Sequence, residues 1–386
     1  MHRIKCLFAG PAVIGLTVTW LVAPPAAGFR GPQSTAAEPQ PLRMALFGQS
    51  IIRYDLRRES PESAQQMAEI LTDYDVVFTN FEAVMDRTDM VDGTAQPKRF
   101  GLVHRATSGA MESLSAINVN LLSLANNHSF DLGADGVFQT ITSARRGGFA
   151  YSGTGANVDQ ASAPGYLQTP AGLVALVSVT SLIYEGGAAT EDAPGAFHLA
   201  FDERSQQLNE DDRQRLLASV REAARHAQIV MVYHHHHNNQ PQRETVAAWR
   251  RQFTHELINA GADLYLSHGT PVNRGVEIYQ GKPILYGLSN WIFQVRRPIY
   301  YAPDMDAWRT AMVSVEFTGD RLTALTLTPM VSYEATIDRV FFPHGAPRLA
   351  TGTDATELLE LMVELSKEFG SEFEIVGETA ELKLPE

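Results

Sequence analysis

The chain has 386 residues and a net charge of −13 at pH 7, with 44% apolar and 19% charged residues. This length and composition are typical of a globular protein with one large domain or two smaller ones. The negative charge argues against nucleic acid as a partner and against attraction to anionic membranes, because both need a basic surface. A polyanionic substrate would need a local counter-charge, for which bound metal is the best candidate.

Residues 1–28 are typical of a secretory signal peptide. A short basic segment, 1–5, precedes a mostly apolar run, 6–22, and the small residues at 23–28 suit cleavage. The apolar run approaches spanning length, so an uncleaved membrane anchor is the alternative. We therefore expect an exported protein that is periplasmic, extracellular or anchored by its signal. Residues 29–41 have the composition of a linker.

From residue 42 onward, strand-like and helix-like segments alternate, which predicts βαβ units. The predicted strands are 44–47, 75–79, 121–124, 172–179, 229–233 and 263–266. The predicted helices are 61–72, 108–117, 133–146, 211–226, 245–260 and, near the end, 356–369. Two hairpins, within 276–286 and 312–327, suggest a second, antiparallel-rich sheet. We expect an α/β fold of packed β-sheets flanked by helices over 42–335, and a C-terminal extension with an amphipathic helix over 336–386.

Polar residues follow several predicted strands, where the ends of neighbouring strands would bring them together. Carboxylate, amide and imidazole groups at one sheet edge are what a metal-dependent hydrolase needs. Glu82 ends the second strand and is a candidate metal ligand, although an isolated carboxylate is often simply solvated. Gln49 follows the first strand, where an aspartate would be a better ligand.

The segment 125–131 follows the third strand and supplies three candidates. The amide oxygen of Asn127 can ligate a hard metal ion, and His128 can protonate a leaving group. Asp131 could orient that imidazole. The alternative is a turn, since Asn and His often occupy loops.

Histidines supply the remaining ligand candidates. In the run 234–237, alternate side chains share a face, so either His234 and His236 or His235 and His237 face the site. We take the first pair as ligands and keep the second as candidates; a solvent-exposed polar tract is the alternative. His268 follows another strand, and the glycine after it allows a sharp turn.

Four further residues are weaker candidates, and other motifs are missing. These residues are Asp55, His104, Glu277 and Asn290. Glu277 could support a ligand or be an exposed strand residue. The sequence contains no Gly-x-Ser-x-Gly elbow, no P-loop and no dinucleotide-binding glycine motif.

Four segments, 122–133, 153–157, 260–284 and 286–293, occur in an order that resembles the capsule-synthesis CapA family, the poly-gamma-glutamate capsule proteins. That family is similar to the calcineurin-like metallophosphoesterases, and the resemblance covers about 42–294. It implies a metallophosphoesterase-like fold and a divalent metal ion, for which manganese, zinc and iron are candidates. It also implies that a metal-activated water attacks an amide or a phosphoester.

The resemblance assigns roles to individual residues. Glu82 matches the acid of the family's Asn-Leu-Glu motif, and Asn127 and His128 match its ligand and general acid. A histidine of the run matches the family's His-Trp-Gly position, and His268 matches the first histidine of Gly-His-His-Pro-His. Asn290 lies in the segment that is similar to the family's Tyr-Ser-Leu-Gly-Asn-Phe stretch.

The chain departs from the family pattern at two places. Gly48-Gln49 replaces the usual Gly-Asp, and Gly269 and Pro271 replace two histidines. The extra histidines of the run and His104 could replace the lost ligands. Two functions follow: a metal-dependent hydrolase acting on an anionic surface polymer or a small phosphoester, or a non-catalytic accessory protein of polymer synthesis or export. A membrane-bound polymer-synthesis complex is a candidate partner.

Overall fold

A computed structural model describes most of the chain after the N-terminal segment. The described residues are 40–86, 103–237, 244–295, 304–335, 341–342 and 345–384. The predicted signal peptide and almost all of the linker lie outside them. Pro39–Glu386 is one compact unit. Within the described residues, no helix is both long and apolar enough to cross a membrane.

The secondary structure follows the predicted alternation. The strands are β1 Leu42–Ile51, β2 Val76–Phe81, β3 Val84–Met85, β4 Arg105–Ala106, β5 Leu121–Ser123, β6 Ala150–Ser152, β7 Thr154–Gly155, β8 Gly165–Thr169, β9 Gly172–Thr180, β10 Gly195–Ala196, β11 Phe201–Asp202, β12 Gln207–Leu208, β13 Ile229–His236, β14 Leu264–Gly269, β15 Val276–Tyr279, β16 Lys282–Leu285, β17 Asn290–Phe293, β18 Arg309–Thr318, β19 Arg321–Val331, β20 Glu334–Ala335, β21 Phe341–Phe342, β22 Arg348–Leu349, β23 Phe373–Val376 and β24 Thr379–Leu382. The helices are α1 Leu56–Glu59, α2 Pro61–Ile70, α3 Ser108–Ala116, α4 Gly133–Arg146, α5 Val158–Ser162, α6 Glu210–Ala224, α7 Ala248–Asn259 and α8 Gly352–Lys367, with a 3₁₀ turn at Met305–Trp308.

Two mixed sheets carry the fold. The first has the order β23-β24-β19-β18-β1-β2-β5-β6, with β17 beside β1 and β22 beside β19. Its strands β1, β2, β5 and β6 are parallel, whereas β18 runs antiparallel to β1. The second has the order β15-β16-β14-β13-β9-β8, in which β9, β13, β14 and β16 are parallel. The parallel strands therefore direct their carboxyl ends to one edge of each sheet.

An apolar core lies between the two sheets. It contains Leu46 and Phe78 of the first sheet and Met231 and Leu264 of the second. On the outer faces, α2, α3 and α4 cover the first sheet, and α6 and α7 cover the second. These helix, sheet, sheet and helix layers confirm the predicted α/β fold of packed sheets flanked by helices.

The two predicted hairpins are present, but they do not form a separate antiparallel sheet. The hairpin β15–β16 extends the mostly parallel second sheet, and β18–β19 extends the first. Each hairpin completes a sheet that the βαβ units begin, because its apolar side chains pack into the same inter-sheet core. In the predicted C-terminal extension, α8 packs on this core and β24 pairs with β19.

Gly48 lets β1 pass close to the backbone that leads into β17. A Cβ atom at position 48 would overlap the carbonyl oxygens of Leu288 and Ser289. Relief of that overlap would separate Gln49 from Asn290, its partner in the strand register. We expect Gly48→Ala to lower the free energy of unfolding by about 1–3 kcal/mol, measured by urea denaturation. An unchanged unfolding midpoint would show that the backbone at Leu288 and Ser289 can move away from the new Cβ atom without loss of stability.

Candidate metal centre

The strand ends of the two sheets meet at a buried polar cluster. Glu82 directly follows β2, and Asn127 lies in the loop after β5. From the second sheet, His235 and His237 come from the end of β13 and the residue after it. The structure therefore brings carboxylate, amide and imidazole together from both sheets, and we call these four residues the metal centre.

The distances within the metal centre suit ligands that share one cation. His235 Nε2 lies 2.8 Å from Asn127 Oδ1 and 3.1 Å from His237 Nε2. Two ligands at right angles on an ion with bonds of about 2.1 Å would be about 3 Å apart. Ligand atoms of Glu82, His235 and His237 all lie within 4.8 Å of one another, so this group could hold a metal ion.

Burial favours the uncharged forms of these residues, which is the ligand form of the histidines but not of Glu82. Burial, followed by the nearby Asp131, raises the pKa of Glu82 well above its usual range, and Glu82 Oε2 has no hydrogen-bond partner among the described residues. Burial, followed by neighbouring histidines, lowers the pKa of His235, and burial lowers that of His237 to about 4. Neutral imidazoles offer lone pairs, and a cation would stabilise the buried carboxylate. The residues present therefore fit a divalent metal ion.

The structure places His234 and His236, the predicted ligand pair, on the strand face that is opposite to Glu82. Both side chains lie on the outer face of β13, under the helices. His234 contacts Ser181 Oγ at 2.6 Å, and the His236 ring packs edge-on against Trp249. The other pair faces the inter-sheet core because side chains alternate along a strand, and Tyr233 on the same face belongs to that core.

Three neutral acceptors, on His268, Gln49 and Asn290, have no hydrogen-bond partner among the described residues. His268 Nδ1 donates to the carbonyl oxygen of Leu288, so the unpartnered Nε2 carries the lone pair, and the His268 ring lies 6.2 Å from that of His235. Gln49 is the register partner of Asn290, and the unpartnered atoms of both are the side-chain oxygens. Gln49 thus reaches the predicted edge but brings no charge, whereas His268 is presented as a ligand would be.

His128 and Asp131 form a buried pair next to Glu82. His128 Nδ1 donates to Asp131 Oδ2 at 2.7 Å, and His128 Nε2 lies 3.9 Å from Glu82 Oε1. The same Asp131 oxygen accepts the backbone N–H of His104 at 2.9 Å. The His104 ring packs edge-on against His128 with centroids 4.0 Å apart. Burial, then the charges of His128 and Arg53, lowers the pKa of His104.

The comparison with family models covers this whole region. Residues 30–295 match the family described as bacterial capsule synthesis protein PGA_cap, more than half of the 386-residue chain. The chain belongs to the PGA_cap family. The match includes every predicted site residue and confirms the resemblance drawn from the sequence motifs.

The PGA_cap protein has several curated relatives. A protein of Sinorhizobium fredii, named only as uncharacterized, is 24% identical, covering 88% of this chain and 93% of the relative. A "probable polyglutamine synthesis accessory protein" of Mycobacterium tuberculosis is 30% identical over 56% of this chain and 55% of the relative. The "PGA biosynthesis protein CapA" of Bacillus subtilis is 27% identical over 48% and 45%. The chain thus spans about half the length of these two relatives named for polymer synthesis.

One solved structure aligns along much of the PGA_cap protein. The crystal structure of TT1561 of Thermus thermophilus covers 71% of this chain and 94% of its own, at 9% identity. Its TM-score is 0.35, which is too low to support an argument. The fold is therefore assigned from the sheet order, the helix layers and the apolar cores of this chain alone.

Two predicted candidates of the PGA_cap protein stand outside the metal centre. Asp55 caps α1 and binds Arg57 at 2.8 Å and Ser113 at 3.0 Å. Glu277 accepts a hydrogen bond of 2.6 Å from Tyr286 and others from the side chains around it. Both carboxylates therefore have structural partners outside the metal centre.

The role of Asp55 can be tested through its pKa. The hydrogen bonds from Arg57 lower the pKa of Asp55 from 3.8 to about 2. Its stabilisation of the fold is therefore present above pH 3.8 and is lost as the pH falls through about 2. We expect Asp55→Asn to destabilise the protein by about 1 kcal/mol at neutral pH and by progressively less as the pH falls through about 2, measured by urea denaturation. Loss of bound metal from this variant would instead place Asp55 in the centre.

Asn126 was not predicted as a site residue, but it fixes the loop that carries Asn127 and His128. Its amide nitrogen donates to Asn80 Oδ1 at 3.2 Å and to the carbonyl oxygen of Phe81 at 2.9 Å. Its Oδ1 accepts the backbone N–H of His128 at 3.0 Å. The sequence feature that could have indicated this role is the pair Asn126-Asn127, in which one asparagine fixes the loop and the other is free to bind metal.

Proposed function

We propose that this protein is an exported, metal-dependent hydrolase of bacterial capsule metabolism that acts on an anionic surface polymer such as poly-gamma-glutamate. The buried Glu82 carboxylate beside two imidazoles carries this proposal. Glu82 is 3% exposed, and no described residue makes a hydrogen bond with its Oε2. A buried carboxylate without a partner is costly, and a bound cation offsets that cost.

A divalent ion in the metal centre would act as a Lewis acid and lower the pKa of water. The residues that would hold it are Glu82, Asn127, His235, His237 and His268. Manganese, zinc and iron each accept such a mixture of oxygen and nitrogen donors. His268 joins this set because its Nε2 is buried, unprotonated and without a partner among the residues that the structure describes.

His128 would transfer the proton to the leaving group. Its Nδ1–H is held by Asp131, which leaves Nε2 directed toward Glu82. A carboxylate in that position fixes the imidazole tautomer and its orientation, as a general acid or base requires. The proton therefore moves at Nε2, on the side of the metal centre.

The substrate and location rest on the relatives and on the N-terminus. The Bacillus subtilis relative is named for PGA biosynthesis, and the Mycobacterium tuberculosis relative for polyglutamine synthesis. A polymer rich in carboxylates would fit a centre that supplies positive charge through its metal. Export would follow from the basic, apolar and small-residue segments of 1–28.

Metal analysis and hydrolysis assays on the full chain test this function. We expect about one equivalent of metal per chain, and cleavage of gamma-glutamyl polymer or a generic phosphoester with added manganese or zinc. Less than about a tenth of an equivalent, together with no cleavage of either substrate, would overturn the hydrolase assignment.

A second candidate is a non-catalytic accessory protein of polymer synthesis or export, working with a membrane-bound synthesis complex. The neutral Gln49 favours it, because the first strand then contributes no charge to the site. One relative is also named as an accessory protein. Full metal occupancy without turnover of any gamma-glutamyl or phosphoester substrate would support this candidate over the hydrolase.

A further inference from the structure

Arg53 is a partly buried cation just beyond the first strand, and it makes no ion pair with another described residue. It lies two residues beyond the end of β1, and its side chain is partly buried. The backbone is fixed, because its N–H donates to Gln294 Oε1 at 2.8 Å and its carbonyl accepts from Thr107 N at 3.0 Å. The guanidinium lies over the Tyr54 ring at 5.5 Å, and its buried Nε has no hydrogen-bond partner in the described part of the chain.

The position of Arg53 relates it to the proton-transfer pair. Thr107, which binds the Arg53 carbonyl, follows closely after His104, whose ring packs on His128. The charge of Arg53 also contributes to the low pKa of His104. The backbone of Arg53 is therefore joined, through the short segment 104–107, to the packed imidazoles of His104 and His128.

Neighbouring arginines are all paired, which sets Arg53 apart. Arg57 binds Asp55 at 2.8 Å and Glu112 at 2.6 Å, and Arg105 binds Asp86 at 3.1 Å. The chain has 44 acidic and 31 basic side chains, so carboxylates are not scarce. A partly buried guanidinium is costly without a partner, and its planar fork matches the two oxygens of an oxyanion.

We propose that Arg53 binds an anionic group of the substrate, a carboxylate or a phosphate, and thereby positions the adjacent bond at the metal centre. This inference deepens the proposed function and rests on it for the identity of the polymer. Arg53 is a specificity residue: it holds a charged group away from the bond that is cleaved. The exposed Tyr54 ring beside it offers an apolar surface for the methylene groups of a glutamate chain.

Equilibrium binding of a fluorescein-labelled gamma-linked glutamate pentamer tests the proposal without turnover. Fluorescence anisotropy would compare the wild type with Arg53→Gln, Arg53→Lys and Arg58→Gln. We expect Arg53→Gln to weaken binding about tenfold to a hundredfold, and Arg53→Lys to weaken it less, because the charge remains but the fork is lost. Arg58→Gln is the matched control, since its side chain is 84% exposed and its one ion pair among the described residues is with Asp55, the cap of α1, at 3.4 Å.

Inorganic phosphate as a competitor distinguishes the two oxyanions. Displacement of the pentamer from the wild type by phosphate would show that phosphate uses the same guanidinium, and resistance to phosphate would assign the site to carboxylates. Unchanged binding in Arg53→Gln, or equal losses in Arg53→Gln and Arg58→Gln, would overturn the proposal. So would a wild type that binds neither probe. If Arg53→Gln fails to fold, Arg53→Lys is the deciding variant. Wild-type affinity in Arg53→Lys would then overturn the proposed two-bond contact between the Arg53 guanidinium and the substrate anion.

Metal content separates this inference from the proposed function. We expect Arg53→Gln to retain the metal content of the wild type. Binding that depends on Arg53 in a protein without metal or hydrolysis would sustain the inference and defeat the hydrolase assignment. If the protein binds metal and hydrolyses substrate, but its binding of the pentamer does not depend on Arg53, the hydrolase assignment would stand and the inference about Arg53 would fail.

Discussion

Alanine substitution of His235 or His237 is expected to remove bound metal, whereas the same substitution of His234 or His236 should leave it in place. The first pair faces Glu82 between the sheets, and the second faces the helices. Loss of a direct ligand should weaken metal affinity by at least about a hundredfold, the upper range for loss of a supporting residue. Titration calorimetry with manganese or zinc on the four variants measures this difference.

The four histidine variants control one another, because they remove the same group from one short segment. His234→Ala should lower the free energy of unfolding by about 1–3 kcal/mol, since it leaves Ser181 and Tyr265 without their buried partner. Metal affinity at a temperature where all four variants are folded therefore separates ligation from stability. Equal losses of affinity on both faces would contradict the assignment of the strand face.

His128→Gln is expected to lower kcat by about 10² to 10⁴ while bound metal remains. The imidazole contributes proton transfer at Nε2, and the glutamine side chain cannot carry out that transfer at neutral pH. Asp131→Asn should lower kcat by about tenfold to a hundredfold, because the His128 imidazole loses the carboxylate that fixes its tautomer. Steady-state kinetics with metal analysis on the same samples measure both effects.

His226→Gln is the matched control for His128→Gln. His226 follows α6 and pairs with Glu222 at 2.9 Å in an exposed position, so its loss should leave kcat unchanged. If His128→Gln loses metal in proportion to activity, His128 is a ligand, and the proton donor must be sought elsewhere.

The positions of the site residues along the strands could be predicted from the sequence. Glu82, Asn127 and His268 each follow an apolar run of strand length, and parallel strands bring such ends to one edge. The family motifs then set their order. The alternation of strand-like and helix-like segments is enough to predict the architecture, because the βαβ units follow one another regularly.

The face of β13 could not be predicted, because both of its faces are apolar. Met231 and Tyr233 pack between the sheets, and Val230 and Val232 pack under the helices. A strand that is buried on both sides shows no alternation of polar and apolar residues. Only the tertiary structure decides which histidines meet Glu82.

The exclusion of Asp55 and Glu277 could not be predicted for a related reason. Their partners, among them Ser113 and Tyr286, lie far along the chain or in other elements. A sequence shows a carboxylate near a cluster, but it does not show which donors already satisfy it.

Anomalous diffraction from crystals soaked with manganese would locate the metal ion. We expect one strong peak within about 2.0–2.3 Å of Glu82 Oε2 and of imidazole nitrogens of His235 and His237. A peak held by His234 and His236, or no peak at the strand ends in soaks that reach saturation, would contradict this expectation.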